Sequence, residues 1–323
     1  MISKGNQNMF NLSQEFIYEI KNEEICIQKC YSHGNVAVIP TEIDGYPVTE
    51  LSEYAFSVGA VHAFGTITVD EYHGLPRLAG EQLEEIIIPN TVKRVGRYVF
   101  YNCKNLWRLE FCNSLIDLGA GAFTGCHKVR EIKVHFENGK EPRLREFLVE
   151  LAEEQVVTLC YENEEAKVLF PEYYEESIEN TPARNLEVFT HGSGMMYRNC
   201  FVKKELDFQL YDERFGWAVG KESPETLFYL IFFRLLYPYQ LSEKAKRKYF
   251  DYLKENLQKC AAWAAMGQKE DVLQFLAEHC VISASQMDIV ISEANKYGRT
   301  VVLSSLMDQK RRKFGVKRKV FEL

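Results

Sequence analysis

The sequence is short of the patterns that mark membrane, secreted and cofactor-binding proteins. Its longest apolar run, Leu227 to Tyr237, is interrupted by Arg234 and falls far short of the roughly 20 residues needed to span a bilayer. Residues 1–14 are polar and lack the apolar segment of an export signal. The nine cysteines contain no CxxC pair, and the glycines form neither a P-loop nor a GxGxxG motif. These absences predict a cytoplasmic protein with no membrane contact, no cofactor and no bound metal.

Charge is spread unevenly along the 323 residues. The formal net charge is −7, yet the segment Lys310–Lys319 holds seven basic residues, so the rest of the chain carries −14. An acidic body repels a phosphate backbone, which argues against nucleic-acid binding outside this basic tail. The tail itself has three interpretations: a nucleic-acid contact, a solubilising end, or a segment that folds back on the acidic residues 161–187.

A repeat of 23 residues runs through the N-terminal half. Leu83–Asn105 aligns with Leu106–Lys128, and a third copy starts at Val129. Each copy begins with LxxIxI, whose alternation is typical of a short strand with one buried face. Stacking such copies produces a parallel sheet and a solenoid, since one turn cannot bury its own apolar side. The positions that coincide in the first two copies are Ile86 and Leu109, Ile88 and Phe111, Val92 and Leu115, Val95 and Leu118, Gly96 and Gly119, Phe100 and Phe123, and Cys103 and Cys126.

The recurring Phe and Cys predict internal stacks. Phe100 and Phe123 lie one period apart, so we expect their rings to be buried against each other in adjacent turns. Cys103 and Cys126 coincide in the same way, which favours structural thiols over a metal pair. The glycine of each copy is expected to permit a tight turn.

The pattern continues less regularly toward the N terminus. Val38–Phe56 resembles the later part of a copy, and Phe64, Ile67 and Val69 begin a copy of only 19 residues. Before them, FIYEI and ICIQK (residues 16–29) alternate around a polar turn and predict a hairpin. We expect this hairpin to cover the open end of the solenoid, because an uncovered sheet edge invites aggregation.

The segments IPxxIDGxPVTxLxxxAF and IPxxVxxVGxxxFxxCxxL resemble the BspA-type leucine-rich-repeat family of bacterial proteins. The resemblance covers about residues 15–135, and the spacing, Gly, Phe and Cys all coincide. It implies a leucine-rich-repeat solenoid that is an interaction module rather than an enzyme. Many members are secreted or surface-anchored adhesins, so a surface adhesin is an alternative if the native chain is exported.

After residue 134 the repeat stops, and the patterns change. One helix is predicted within residues 142–154, a hairpin within 155–170, and another hairpin on either side of His191–Gly194. Ser223-Pro224-Glu225 predicts the start of a helix that ends before Pro238. Residues 264–279 and 293–309 share a Gly followed by a VLxxL helix, which is similar to ankyrin-type helix pairs.

The predicted fold class is α+β: a leucine-rich-repeat solenoid with a short parallel sheet, followed by an all-helical domain. About four solenoid turns are expected. The predicted parts are an N-terminal hairpin cap (1–34), the solenoid (35–140), an αβ connection with an acidic linker (141–190), a helical domain that is ankyrin-like at its end (191–309), and the basic tail (310–323).

The residues between the inward positions of LxxIxI must point to the opposite face of each strand. Successive turns lie about 4.8 Å apart, so these residues form one continuous ladder. The ladder mixes both charge signs with an apolar Ile87, and we expect an unidentified protein partner to dock on it. The alternative is a solvated sheet face, with binding by the helices. The predicted partner-binding residues are Thr66, Thr68, Glu85, Ile87, Arg108, Glu110, Glu131 and Lys133.

The segment His191–Gly194 with nearby Cys200 is the alternative site, for an enzyme of unrecognised type between the domains. Nucleophilic catalysis needs a base held against the nucleophile, and this spacing specifies no such geometry. A hairpin turn explains the Gly and Ser equally well. The predicted function is therefore non-catalytic protein–protein interaction, with the solenoid and the helical domain together forming a scaffold. The charged residues near this segment, expected to be solvated or locally paired, are Asp207, Asp212, Glu213 and Arg214.

Overall fold

The computed structural model describes residues 13–58, 71–137, 143–180 and 185–315. The chain forms two compact units, Met1–Asp207 and Phe208–Leu323. The first contains a solenoid of stacked strands, and the described part of the second is helical. This is the predicted α+β class. The predicted helical domain begins earlier, at residue 191, and the domain boundaries stay a prediction. None of the helices in the described ranges has the length and apolar character required to cross a bilayer.

The first unit is built mainly from short strands. In its described residues the α-helices are α1 (Leu144–Glu150) and α2 (Gly194–Arg198), and Gly80–Gln82 form a short 3₁₀ helix. Its strands are β1 (Gln14–Lys21), β2 (Glu24–Ser32), β3 (Val36–Val38), β4 (Glu42–Ile43), β5 (Tyr46–Leu51), β6 (Glu71–Tyr72), β7 (Leu75–Pro76), β8 (Glu85–Ile87), β9 (Arg94–Val95), β10 (Arg108–Cys112), β11 (Asp117–Leu118), β12 (Glu131–His135), β13 (Gln155–Cys160), β14 (Glu165–Phe170), β15 (Tyr173–Asn180), β16 (Asn185–Gly192), β17 (Phe201–Val202) and β18 (Glu205–Leu206).

Sheet 1 contains the strands of the 23-residue repeat, in the order β14-β13-β12-β10-β8-β3. Strands β3, β8, β10, β12 and β13 are parallel, and β14 pairs with β13 in the antiparallel sense. Arg108 lies opposite Glu85 on one side and Glu131 on the other, each 23 residues away in sequence. The register is therefore the one that the repeat predicts.

Sheet 2 forms the other side of the solenoid, in the order β1-β2-β5-β9-β11, with β4 also paired to β5. The predicted hairpin is present as β1 and β2, and β2 pairs in parallel with β5, so the hairpin continues sheet 2 at its N-terminal end. The side-chain amide of Gln14 also reaches β3, where it donates to the carbonyl of Val36 and accepts from the amide of Val38. One side chain thereby covers part of the exposed edge of sheet 1.

The core between the sheets contains a continuous stack of phenylalanine rings. Phe100 and Phe123 are buried, and their ring centroids lie 5.3 Å apart, as the repeat spacing predicts. Phe56 extends the stack on one side at 5.7 Å from Phe100, and Phe147 of α1 extends it on the other at 5.5 Å from Phe123. Aromatic rings at this spacing gain stacking energy in addition to area burial.

The repeated cysteines hydrogen-bond to the turn before their own. The Cys103 thiol donates to the carbonyl of Phe56 at 3.2 Å, and the Cys126 thiol donates to the carbonyl of Phe100 at 3.0 Å. Both thiols are buried, and all nine cysteines of the chain are free. Each thiol bond is additional to a backbone hydrogen bond, since the carbonyl of Phe56 also accepts from the amide of Gly80 and that of Phe100 from the amide of Cys103. These contacts support a structural role for Cys103 and Cys126 rather than a metal pair.

Replacing Phe100 or Phe123 by alanine should lower the free energy of unfolding by about 3–5 kcal/mol, as for other buried aromatic side chains. The stack predicts a loss at both positions because each ring contacts a ring on either side. Urea melts followed by circular dichroism measure the change. Ile116→Ala is the matched control, since its side chain is 58% exposed and its loss should cost no more than about 0.5 kcal/mol. A loss below about 1 kcal/mol at either Phe would contradict the stack.

The repeated glycines allow close backbone approach rather than a special turn. A Cβ on Gly119 would lie 2.3 Å from the amide nitrogen of Arg97, and one on Gly96 would lie 2.4 Å from that of Glu53. Neither glycine is among the residues with positive φ. The expectation of a tight turn that needs glycine's φ is therefore wrong: neighbouring turns touch here through their backbones, which leaves no room for a side chain.

The solenoid differs from the predicted one at both ends. Strand β8 pairs with β3 and β10, so both its edges are occupied and no further strand fits beside it. The predicted copy beginning at Phe64, Ile67 and Val69 lies outside the described residues and supplies no strand between β3 and β8. At the other end the parallel sheet continues to β13, where α1 replaces the second half of the repeat. The result is about five turns rather than four.

Arg198 closes the C-terminal end of the solenoid. Its fully buried guanidinium donates to the carbonyls of Leu148, Leu151, Glu153 and Pro171 at 2.6–3.2 Å and to the side-chain oxygen of Gln155. These acceptors belong to α1, to the segment between α1 and β13, to the first residue of β13, and to the residue that follows β14. Burial lowers the pKa of Arg198 to about 10, although nearby Tyr173 and Glu153 oppose this shift.

The segment after β14 folds differently from the prediction. Strands β15 and β16 pair with each other, and residues Gly194–Arg198 form α2 instead of the second strand of a hairpin. Gly192 has φ +79°, and a Cβ on Gly194 would lie 2.0 Å from the carbonyl oxygen of Pro171. The two glycines thus let the chain pass from β16 into α2 against Pro171. The local sequence does not reveal this contact, which depends on the distant β14.

The second unit is formed by helices around a buried ion pair. Its helices are α3 (Phe208–Glu213), α4 (Phe215–Ala218), α5 (Pro224–Leu236), α6 (Glu243–Glu255), α7 (Leu257–Met266), α8 (Glu270–Phe275), α9 (Ala284–Lys296) and α10 (Thr300–Phe314). A π-helical turn, Leu276–Cys280, follows α8. The predicted start of α5 is confirmed, since the Ser223 hydroxyl accepts from the amide of Thr226 at 3.2 Å.

Asp212 and Arg234 lie at the centre of this unit, both nearly inaccessible to solvent. The guanidinium donates to both carboxylate oxygens at 2.8 and 3.0 Å, and the Tyr249 hydroxyl donates to the same carboxylate at 2.8 Å. The expectation that Asp212 is solvated or locally paired is therefore wrong. An arginine in the middle of an apolar helix needs a buried counter-ion, and Asp212 supplies it.

The last four described helices form two consecutive pairs, α7–α8 and α9–α10, in which α7 packs mainly against α9 and α9 against α10. Gly267 and Gly298 lie at the corresponding turns within the pairs. The likeness to ankyrin repeats stays a prediction. The beginning of the predicted basic tail is the last turn of α10, where Lys313 donates to the carbonyls of Ala277 and Glu278, both at 2.8 Å.

Candidate functional site

The predicted ladder is formed by the outward-facing residues of three adjacent strands in sheet 1. Glu85, Arg108 and Glu131 share one row across β8, β10 and β12. The next row along the strands, two residues further, consists of Ile87, Glu110 and Lys133. Neighbouring residues in such rows are about 5 Å apart, so their side chains are in direct reach of one another. We call these six residues the charged ladder.

The charged ladder is held together by an ion network centred on Glu110. Arg108 donates to Glu85 at 3.1 Å and to Glu110 at 2.9 Å, which joins the two rows. Lys133 approaches Glu110 at 3.5 Å, and the ring of His135 bonds the same carboxylate at 2.7 Å. The network therefore connects the side chains of Glu85, Arg108, Glu110 and Lys133, four of the six ladder residues.

The Glu110 carboxylate stays ionised in this network. Burial alone would raise its pKa, but the hydrogen bond with His135 and the positive charges of Lys133 and Arg108 outweigh burial and lower the pKa below its ordinary value. A lowered pKa in the folded state contributes stability above the ordinary pKa, and the contribution is lost as the pH falls through the lowered one. The ladder is thus organised at neutral pH and loosens in acid.

Two predicted ladder residues, Thr66 and Thr68, lie outside the described residues. Their expected place beside β8 is occupied by β3, where Val36 lies opposite Glu85 and Val38 opposite Ile87. At the other side the rows continue through Val156 and Thr158 of β13. The neighbours of the charged ladder are therefore mostly uncharged.

His135 extends the face of the charged ladder by one row and was missed by the sequence analysis. It follows Lys133 by two residues and faces the same way, between Cys112 and Cys160 in the third row. The six-residue LxxIxI pattern ends at Val134, whereas β12 extends one residue further. Reading the alternation one step past the pattern finds this residue.

A small cavity lies in the loops that follow β8 and β10. Its volume is about 290 Å³, and it is lined by Asn90, Lys93, Asn113, Ser114, Leu115, Ile116 and Arg143. Among the described residues, no group of three His, Cys, Asp or Glu side chains is placed to hold a metal ion.

The structure gives structural roles to the alternative site. His191 bonds Glu176 at 3.2 Å, and its ring stacks on Tyr174 with the centroids 4.4 Å apart. Cys200 is fully buried, and its thiol donates to the carbonyl of Met196 at 3.3 Å. A thiol enclosed in this way is not presented to a substrate, and Asp212 belongs to the core of the second unit.

A comparison with protein-family models identifies the repeat. Residues 78–141 match the family model described as BspA type leucine rich repeat region (6 copies). No curated protein matches the chain. A leucine rich cell surface protein from Faecalibacterium prausnitzii A2-165 is 16% identical over 42% of this chain and 39% of its own, with a TM-score of 0.24. A leucine rich repeat protein of T. pallidum is 24% identical over 36% of this chain and 68% of its own, with a TM-score of 0.20. The matched segment contains β8, β10 and β12. Residues 78–141 are therefore leucine-rich repeats of the BspA type.

Proposed function

We propose that this protein is a non-catalytic protein-binding module or scaffold and that a partner docks on the charged ladder. The observation that carries the proposal is the register of β8, β10 and β12, which aligns acidic, basic and apolar side chains in two rows. Leucine-rich repeats are protein-interaction modules, and the solenoid presents this face as one rigid surface.

The network determines what the ladder offers to a partner. Glu110 is paired with Arg108, Lys133 and His135, and its side chain is only 17% exposed, so it is not available to a partner. Glu131 is exposed, Lys133 is 35% exposed, and Ile87 is half-buried. The ladder therefore favours a protein partner that contributes both charge signs and a small apolar contact, and its mixed charge disfavours nucleic acid.

The test is a pull-down from native lysate with wild-type protein and with the variant Glu85→Ala/Arg108→Ala/Lys133→Ala. The matched control is Glu50→Ala/Arg94→Ala/Lys104→Ala, which removes the same three residue types elsewhere on the first unit. Glu50 and Arg94 also form an ion pair, at 3.0 Å, and Lys104 pairs with Glu81. Partly exposed ion pairs are worth about 1 kcal/mol or less, so both variants should remain folded.

We expect a partner that wild-type and control proteins retain and that the ladder variant loses. If the ladder variant retains every partner while its thermal melt is unchanged, the ladder is not the docking face, and the helical unit becomes the candidate. Cytoplasmic residence stays a prediction, supported by nine free cysteines of which seven are buried.

A further inference from the structure

Strands β15 and β16 form a two-stranded ribbon whose described side chains are exposed for most of its length. Residues 174–178 of β15 and 187–190 of β16 are all exposed, whereas the base of the ribbon is held by Tyr173, which lies against Arg198. In the described part of the chain the two strands pair only with each other. An isolated pair of strands is marginally stable in water, so this ribbon gains if another strand joins it.

One face of the ribbon carries three exposed apolar or aromatic side chains beside two carboxylates. The register places Tyr174 opposite His191, Glu176 opposite Phe189, and Ile178 opposite Glu187 on the same face. Tyr174, Ile178 and Phe189 are 58%, 48% and 46% exposed. Scattered single apolar residues on a surface need no explanation, but three on one face of a projecting ribbon mark an interaction surface.

The charge of the ribbon restricts what can cover that face. Glu175, Glu176 and Glu187 are exposed, and Glu176 is paired with His191. A second copy of the ribbon would bring carboxylates against carboxylates, which destabilises strand pairing. A phosphate-rich surface is repelled for the same reason. The complementary occupant is therefore basic as well as apolar.

We propose that the β15 edge of this ribbon binds an extended protein segment in which basic and apolar side chains alternate. Joined to β15 as a third strand, such a segment places its apolar side chains beside Tyr174 and Ile178 and its basic side chains on the other face, beside Glu175. The backbone hydrogen bonds supply general affinity, and the alternation supplies selectivity. This surface is separate from the charged ladder and does not depend on it.

The test uses a fluorescent ten-residue peptide of alternating Lys and Val, with an alternating Glu–Val peptide for comparison. Fluorescence anisotropy should show that the Lys–Val peptide binds wild-type protein at least tenfold more tightly than the Glu–Val peptide does. Its affinity should fall as salt is added, because the Glu175 contact is screened. Hydrogen exchange should show new amide protection in residues 174–178 when the peptide binds.

Glu175→Lys/Ile178→Ser should weaken Lys–Val binding at least tenfold. The matched control is Glu205→Lys/Val202→Ser on the exposed hairpin β17–β18, where Val202 is 52% exposed, and it should bind like wild type. Equal binding of the two peptides, or binding without protection of residues 174–178, would overturn the proposal. So would concentration-dependent dimerisation that the ribbon variant abolishes, because the occupant would then be a second copy.

Discussion

Replacing Arg198 by methionine should lower the free energy of unfolding of the first unit by about 5 kcal/mol or more, since each buried group left without a partner costs about 1–3 kcal/mol. The variant would leave four backbone carbonyls and the Gln155 side-chain oxygen without their donor. The side chain is fully buried, so little water is in place to substitute for the guanidinium.

The expected result can be checked by urea melts of the full chain in a Trp217→Phe/Trp263→Phe background, in which the fluorescence comes from Trp107 of the first unit. Arg198→Lys should recover only part of the loss, because a lysine has three donors on one atom and cannot reach acceptors on α1, β13 and β14 at once. Arg145→Ala is the matched control: Arg145 is exposed, its bond to Asn199 is 3.3 Å long, and its loss should change stability by less than about 0.5 kcal/mol. A loss below about 2 kcal/mol in Arg198→Met would show that the carbonyls find other donors.

Asp212→Ala should have a comparable effect on the second unit. The change leaves the Arg234 guanidinium buried without its counter-ion and the Tyr249 hydroxyl without its acceptor. Breaking a buried ion pair by removing one partner costs about 3–5 kcal/mol, and the lost hydrogen bond from Tyr249 adds about 1 kcal/mol more. We therefore expect a loss of about 5 kcal/mol, measured by far-ultraviolet circular dichroism in urea.

A second change distinguishes charge burial from general damage. Asp212→Ala/Arg234→Met should be more stable than Asp212→Ala alone, because it removes the unpaired charge as well. Asp251→Ala is the matched control, an exposed aspartate on α6 in the same unit that should melt like wild type. If the double variant is no better than Asp212→Ala, the ion pair is not the source of the loss.

Most features of the solenoid that could be predicted from the sequence follow from its 23-residue period. Because Phe100 and Phe123 recur at 23 residues, their stacking and the register of β8, β10 and β12 follow from the sequence alone. The period could not predict that β13, the first strand of the hairpin expected within residues 155–170, joins sheet 1, since α1 fills its turn with a different pattern and Val156 lies opposite Glu131 at a spacing of 25 residues. Sheet 1 therefore continues for one more parallel strand after the 23-residue repeat has ended.

Local sequence patterns could not predict the hydrogen-bond partners of the two buried arginines. Arg198 finds its acceptors 27–50 residues away in sequence, and Arg234 finds its carboxylate 22 residues away, in segments whose own composition does not point to a buried charge. Only the position of Arg234 inside an apolar helix gave a signal, namely that a buried partner must exist. The identity of that partner required the fold.

The ladder was predictable for the opposite reason. Its side chains alternate along strands whose register the repeat determines, so Glu85, Arg108 and Lys133 could be placed on one face without a structure. What alternation could not give is the network around Glu110, because the reach of Arg108 and His135 depends on side-chain conformation.

The central claim is that a protein docks on the charged ladder, and titration calorimetry of the recovered partner tests it most directly. We expect Glu85→Ala/Arg108→Ala/Lys133→Ala to raise the dissociation constant at least tenfold, which corresponds to a loss of about 1.4 kcal/mol of binding free energy. The control Glu50→Ala/Arg94→Ala/Lys104→Ala should bind as wild type does. Unchanged affinity in a ladder variant that melts at the wild-type temperature would contradict the claim.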